Sequence, residues 1–422
     1  MAAQETKSES AGAPALRMRL ARRIAGERAS MAELIERLIR IPTENPPGVR
    51  YHDCAALLAS ALEALGFASR TIEIPAPDPS SEKRYAVVAE YGTGARVVCF
   101  HGHYDVVPAS VEGQFEPRWQ GDALFGRGSS DMKSGLVAML YAVKALRDEG
   151  TLLDGRIRLL FVPDEETGGV RGSGHLAADG WLARDVIAMF LPEPTSGVVW
   201  HANRGAITMQ VTVKGRPAHV SLQHQGVNAF EQAIRVVERL QRLRAEVAQR
   251  RTALALKPDE ARPSILLIGG QVAAGTNFNV VPAECRFTID RRINPEEDLD
   301  EERRRLDELF DAARRDGIDV TAELLQEGRS SLTPADTPAA QALAAAVEQV
   351  TGRTAAFELC PGLLEIRFYA AQGVPAFAYG PGILAVSHGP KEFVRMDRVV
   401  ECAAIYALMA ASLLAPEPAL PR

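Results

Sequence analysis

The chain has 422 residues, an ordinary globular composition with 24% charged residues, and a formal net charge of -6. That length allows two or three domains. The mild negative balance argues against nucleic acid as a partner, and the longest apolar stretch, Cys402 to Ala415, is too short to span a bilayer.

Residues 1–27 read as a flexible N-terminal extension. Their first ten residues are polar and no apolar segment follows, so no secretory signal is expected. Glu5, Glu9 and Glu27 speak against a transit peptide in the Arg-rich run from Arg17 to Arg28. Helical spacing of Leu34, Ile35, Leu38 and Ile39 predicts a helix over Met31 to Ile41, ended by Pro42. Asn45-Pro46-Pro47-Gly48 is a loop, and Cys54 to Leu65 is a second helix stopped at Gly66. Thr71 to Ile74 and Tyr85 to Glu90 read as strands. Val97 to Phe100 is a buried strand running into His101-Gly102-His103-Tyr104-Asp105. Met132 to Arg147 is a helix opening straight after Asp131. Ile157 to Val162 is a strand running into Pro163-Asp164-Glu165-Glu166-Thr167-Gly168-Gly169, and Val186 to Leu191 runs into Pro192-Glu193-Pro194-Thr195. Strands alternating with helices indicate a mostly parallel α/β sheet with helices on both faces.

The pattern changes near Arg204. Ala206 to Lys214 alternates as a half-buried strand, a long helix covers about Asn228 to Arg250, and Ser264 to Leu267 and Glu284 to Arg292 are strand-like. Asp298 to Arg315 is a strongly charged helix whose charges read as a solvated face. This composition predicts an inserted α+β domain over 204–318. The expected frame is therefore 1–27 extension, 28–203 first part of the main domain, 204–318 insertion, 319–415 second part, with Val374 to Tyr379 as a strand and Val399 to Leu414 as a closing helix, and 416–422 tail. The five scattered cysteines form no Cys-x-x-Cys pair, which favours a reducing compartment such as the cytoplasm.

Three strand ends carry imidazoles or carboxylates: His103 with Asp105, Glu165 with Glu166, and Glu193. Residues two apart in an extended stretch point the same way, so His103 and Asp105 can converge. Asp131, in Gly126-Arg127-Gly128-Ser129-Ser130-Asp131, and His388, in Ser387-His388-Gly389-Pro390-Lys391-Glu392, add two more sites. Two imidazoles with hard carboxylates and no thiolate suit zinc, cobalt or manganese. In the adjacent pair Glu165-Glu166 a division of labour is natural, one on metal and one moving protons.

In order and approximate spacing, His103-x-Asp105, Gly-Arg-Gly-x-x-Asp131, Asp164-Glu165-Glu166-x-Gly168, Glu193-Pro194-Thr195 and His388 resemble the co-catalytic zinc family of acetylornithine deacetylase, succinyl-diaminopimelate desuccinylase, aminoacylase and glutamate carboxypeptidase. The resemblance spans about Met31 to Leu414. It implies two divalent metal ions, zinc first, with His103 and Glu193 on one, Glu166 and His388 on the other, and Asp131 bridging them. It implies Asp105 orienting His103, and Glu165 as general base toward a bridging water. It makes the insertion a lid and dimerisation domain, with His219 stabilising the oxyanion, in dimeric relatives from the neighbouring subunit. Asn279 and Arg292 match substrate-contacting positions; Arg292 suits a substrate carboxylate or, equally, an ion pair on its own strand. Gly362 and Glu365 fall in the substrate-lining loop, where Pro361-Gly362-Leu363-Leu364-Glu365-Ile366-Arg367 departs from the family pattern: Glu365 replaces an Asp and Leu364 a hydroxyl residue. That departure predicts a changed substrate preference. The expected activity is hydrolysis of the amide of an N-acyl amino acid, a small substrate bearing a carboxylate, by a homodimer with no nucleic-acid or membrane partner. A dipeptidase or carboxypeptidase with the same chemistry is the alternative, and an inactive binding relative is a further one, disfavoured by the intact ligand set and base.

Overall fold

A computed structural model describes residues 15–76 and 82–416. The expected N-terminal extension divides accordingly. Residues 1–14 lie outside the described residues, as do 417–422 of the tail, but 15–26 form a helix, α1, with Leu20 and Ile24 fully buried. Leu20 and Ile24 are four apart and share a face. Arg19 and Arg23 lie on its outer side and pair with Glu149. The arginine run is thus the solvated face of an amphipathic helix, and the reading of all of 1–27 as flexible is corrected.

The chain forms two compact units. The first comprises Met1–His201, Thr333–Phe357 and Phe368–Arg422. It contains α2 (Arg28–Ile39), α3 (Tyr51–Ala64), β1 (Ser69–Ile74), β2 (Arg84–Thr93), β3 (Val97–His103), α4 (Lys133–Asp148), β4 (Gly155–Val162), β5 (Val186–Leu191) and the start of β6 (Val199–Asn203). Its sheet runs β1-β2-β4-β3-β5, then Ala376–Ala378, then β6. The four central strands are parallel: β3 pairs with β4 and β5, and Ala376–Ala378 pairs with β5, whereas β1, β2 and β6 are antiparallel edges. The parallel core accounts for the unbroken apolar runs Val97 to Phe100 and Val186 to Leu191, since strands covered on both faces need no alternation. β3 is buried at every position. No helix of the described residues is long and apolar enough to cross a membrane.

The second unit comprises Ala202–Leu332 and Glu358–Arg367. It holds β7 (Gly205–Lys214), α5 (Ala229–Val247), β8 (Ile265–Ala274), β9 (Glu284–Ile293), α6 (Leu299–Arg315) and β10 (Asp319–Gly328). The strands form an antiparallel sheet in the order β8-β9-β7-β10. Val236, Leu240 and Leu243 of α5 and Leu306 and Phe310 of α6 share one core with Val211, Val213, Phe287 and Ile289. Asn228 caps α5 by accepting from Phe230 and Glu231, and Asp298 caps α6 by accepting from Glu301.

The expected end of the insertion at 318 is also corrected. β10 lies along β7, with Val320 opposite Val213 and Leu324 opposite Met209. Only Val320 of this strand is buried, although Val320, Ala322 and Leu324 alternate with polar residues. Glu358–Arg367, expected in the second part of the main domain, also joins this unit. Within it, Arg204 donates from its backbone to the carbonyls of Cys360 and Gly362.

Candidate functional site

The parallel strands β4, β3 and β5 lie side by side, so their carboxyl ends open at one edge of the sheet, where α/β folds place ligands. β3 ends in His103 itself. β4 runs into a single 3₁₀ turn, Glu165–Thr167, and β5 into Glu193. Asp131 and His388 arrive on loops. Asp131 lies just before α4, and its peptide bond to Met132 is cis.

These five side chains meet. Asp131 Oδ1 is 3.2 Å from His103 Nε2, and its Oδ2 is 3.3 Å from His388 Nε2. Glu193 Oε1 stands 3.6 Å from His103 Nε2, and Glu166 Oε2 3.2 Å from His388 Nε2. The result is two groups of three donors sharing one carboxylate. The other oxygen of Glu166 is held by the backbone N–H of Val107 at 3.2 Å, which leaves Oε2 for the His388 side.

His103 Nε2, Asp131 Oδ1 and Glu193 Oε1 are buried, yet none makes a hydrogen bond among the described residues. Buried polar atoms normally find such partners. Imidazole nitrogens and carboxylate oxygens converging in this way fit a cation, and an imidazole–carboxylate set without thiolate fits a borderline or hard divalent ion. The electrostatics agree. Burial, reinforced by the charge of Asp131, raises the carboxyl of Glu193 well above its usual range, and burial also raises Glu166. Hydrogen bonds to Asp131 and Glu166 push the His388 imidazole up to about 11. At His103 burial opposes the charge, but Asp105, Asp131 and Glu193 overcome it. The site is therefore a concentration of negative charge that strongly attracts positive charge, and it suits divalent metals.

Asp105 has a double task. His103 Nδ1 lies 3.0 Å from the main-chain oxygen of Asp105 and 3.5 Å from its carboxylate. With Nδ1 donating, Nε2, which faces Asp131, is the nitrogen whose lone pair a metal in place of the proton would take. The carboxylate meanwhile accepts the backbone N–H groups of Glu165 at 3.2 Å and Glu166 at 3.1 Å, plus Asn45 Nδ2 at 2.8 Å. Burial opposes its ionisation, but His103, Asn45 and the Glu166 N–H hold it below the usual carboxylate range. Asp105 thus joins the first imidazole to the turn carrying Glu165 and Glu166. Asn45 was not singled out by the sequence reading. Its position beside two prolines reads as a turn, and its partner lies on a different strand end.

His101, two residues before His103, is fully buried, with Nδ1 at 2.9 Å from the Tyr369 hydroxyl and Nε2 at 2.9 Å from the Ser173 hydroxyl. Both ring nitrogens are thus hydrogen-bonded, which suits a packing role.

His219, Asn279, Arg292, Gly362 and Glu365 belong to the second unit. His219 bridges Val280, and the Asn279 carbonyl accepts the Val220 N–H at 3.0 Å, so the first two sit on adjoining segments. His219 is exposed, and its Nδ1 accepts the Ser221 N–H at 3.2 Å. In the neutral ring the proton therefore sits on Nε2. Arg292 pairs with Asp290 two residues earlier on β9, at 2.8 Å through both Nε and Nη2, the strand ion pair of the two expected roles. Gly362 is half-buried and Glu365 fully buried.

Residues 99–412 match the family model described as peptidase family M20/M25/M40. A probable succinyl-diaminopimelate desuccinylase of Staphylococcus epidermidis is 35% identical over 203 residues, 47% of this chain and 47% of that relative. The match therefore spans about half the length of that protein. A succinyl-diaminopimelate desuccinylase of Alkalilimnicola ehrlichii is 29% identical over 365 residues, 84% of this chain and 92% of the relative. The fold matches that of the di-peptidase Dug1p of Saccharomyces cerevisiae with a TM-score of 0.80 at 16% identity, covering 95% of this chain and 99% of that one.

Proposed function

The chain belongs to peptidase family M20/M25/M40, and on that premise we propose that it is a metal-dependent hydrolase of a non-cyclic amide bond, acting on an N-acyl amino acid or a related small carboxylate-bearing amide. The observation that carries this reading is the shared carboxylate: the two oxygens of Asp131 face two different imidazoles. His103 and Glu193 would hold one divalent ion, His388 and Glu166 the other, and Asp131 both. Zinc suits the donors best, and cobalt or manganese would also accept them. When bound, such ions polarise a carbonyl and lower the pKa of water.

The chain's own residues supply the rest. Glu165 sits beside a ligand, and its backbone is pinned by Asp105. Its carboxylate would take a proton from the attacking water and pass it to the leaving nitrogen. His219 Nε2–H would donate to the oxyanion, as the tautomer set by Ser221 allows. The desuccinylase names of the two relatives support an N-acyl substrate. A dipeptidase or carboxypeptidase would use the same residues. The buried, unbridged cysteines are consistent with a cytoplasmic enzyme, and exposed Ile265, Leu267 and Val272 on the edge strand β8 favour a homodimer.

The test is hydrolysis of a panel of N-acetyl, N-succinyl and N-carbamoyl amino acids, dipeptides and aryl amides, with zinc or cobalt and with a chelator. Turnover of one class, lost on chelation and restored by metal, is expected. Turnover that survives complete removal of metal would sink the reading.

A further inference from the structure

We propose that Arg127 and Glu392 form a positioning pair that clamps the loops carrying Asp131 and His388, so that the second metal position, which takes both of those residues, depends on the pair more strongly than the first, which takes only Asp131 of the two. The proposal rests on the reading of the centre given above.

Glu392 is fully buried. Its Oε1 accepts the backbone N–H groups of Gly128, Ser130 and Asp131, each at 3.0 Å. Its Oε2 takes Arg127 Nη1 at 2.6 Å. The fork of Arg127 then reaches the other loop: Nη2 donates to the main-chain oxygens of His388 and Pro108, both at 3.2 Å, and Nη1 to that of Gly389 at 3.4 Å. The two side chains are 1% and 0% exposed. A charged pair so buried is costly unless nearly every donor and acceptor is used, and among the described residues Arg127 Nε is the donor of this pair without a hydrogen-bond partner. Here the partners are the main chain at one metal-facing residue, Asp131, and at another, His388. Gly128 allows this by its φ of +84°, where an added Cβ would lie 2.8 Å from Val106. That turn aims several N–H groups at one oxygen, a backbone nest.

The clamp continues outward. Phe393–Arg395 pairs antiparallel with Ala123–Phe125, and Gly126 donates to the Glu392 carbonyl at 3.1 Å. The segments 126–131 and 388–392 are therefore one joint, with Arg127–Glu392 at its centre. The remaining ligands are held otherwise. His103 ends a strand paired on both sides, Glu193 follows the neighbouring strand, and Glu166 is fixed by Asp105. His388 has no strand to hold it, lies at a φ of +63°, and is half exposed. Loosening the joint should free His388 first.

The experiment is metal titration of the chelator-stripped full chain with Co2+, followed by calorimetry and visible absorption, on wild type, E392Q, R127K and, as a reference for loss of the second position, H388A. The E392Q side chain would keep an acceptor for the N–H groups but not the charge facing Arg127. The R127K side chain would keep the charge but not the fork. The expected result is two ions on wild type. On E392Q and R127K the first ion should bind within a few-fold of wild type, and the second about 10- to 100-fold more weakly, the usual effect of losing a ligand-orienting partner. Their spectra should approach that of H388A. Equal weakening of both ions, or unchanged binding of both, would overturn the proposal. If E392Q does not fold, R127K decides alone. Wild type binding fewer than two ions would instead overturn the reading of the centre, so the two failures are distinguishable.

Discussion

Glu165 and Glu166 are neighbours to which the proposed reading gives different roles. Glu166 is fixed at both carboxylate oxygens, by Val107 and by His388. Glu165 is held by its backbone N–H to Asp105. Replacing Glu165 by Gln should lower kcat about 10²- to 10⁴-fold, the usual range for a general base, while two metals per chain remain. A variant that keeps most of its activity would show that the base is another group. The five side chains that meet at the sheet edge were legible because each stands just past an apolar run or inside a distinctive short motif. Asn45, Arg127 and Glu392 were not, because their partners are main-chain atoms or side chains brought close only by folding. Arg127 and Glu392 even lie inside quoted motifs, yet nothing in spacing says that one carboxylate collects three N–H groups.

At the scale of elements, the parallel core was readable from its apolar runs, and the place of β10 was not, since the alternation of Val320, Ala322 and Leu324 marks a strand without saying which sheet it joins. The helix Pro338–Thr351 went unpredicted although it carries clear boundary signals: Thr337 caps it, Pro338 opens it and Gly352 closes it at φ +68°. Its alanine-rich face hid the periodicity. In the second unit, Arg291 and Arg250 share Glu297 and Glu302 in a largely buried network. Burial opposes charge on Glu297, but Ser264, Arg291, the Asn294 N–H and Arg250 outweigh it and hold its pKa below the usual range. A lowered folded-state value means that its stabilising contribution is complete above the unfolded carboxyl pKa, about 4.3, and is lost as pH falls through the folded value. Glu297→Gln should thus destabilise the protein by about 3 kcal/mol at pH 7, with the deficit closing as the pH drops below about 4. Denaturant melts at pH 7 and pH 3.5 check this; a deficit independent of pH would assign the loss to packing.

At the scale of the whole molecule, β8 is an edge strand of the second sheet and leaves Ile265, Leu267 and Val272 exposed, with Phe230 and Ile234 of α5 exposed in the same unit. An apolar open edge favours pairing with another strand, and a two-fold contact between copies would satisfy it. The double variant Leu267→Lys/Val272→Lys should shift a dimer to monomer in light scattering, with the first unit's metal binding intact; wild type running as a monomer at all concentrations would remove the proposed dimer. The sheet order also bears on synthesis. Ala376–Ala378 sits between β5 and β6, although it is made long after both. A ribosome-bound chain therefore carries a split sheet whose two sides present unpaired edges. The second unit can form almost entirely while that gap waits. His388 emerges later still. On the proposed centre, the second position would be complete only once His388 is made, and the unpaired strand edges of the unfinished chain would expose it to aggregation until then.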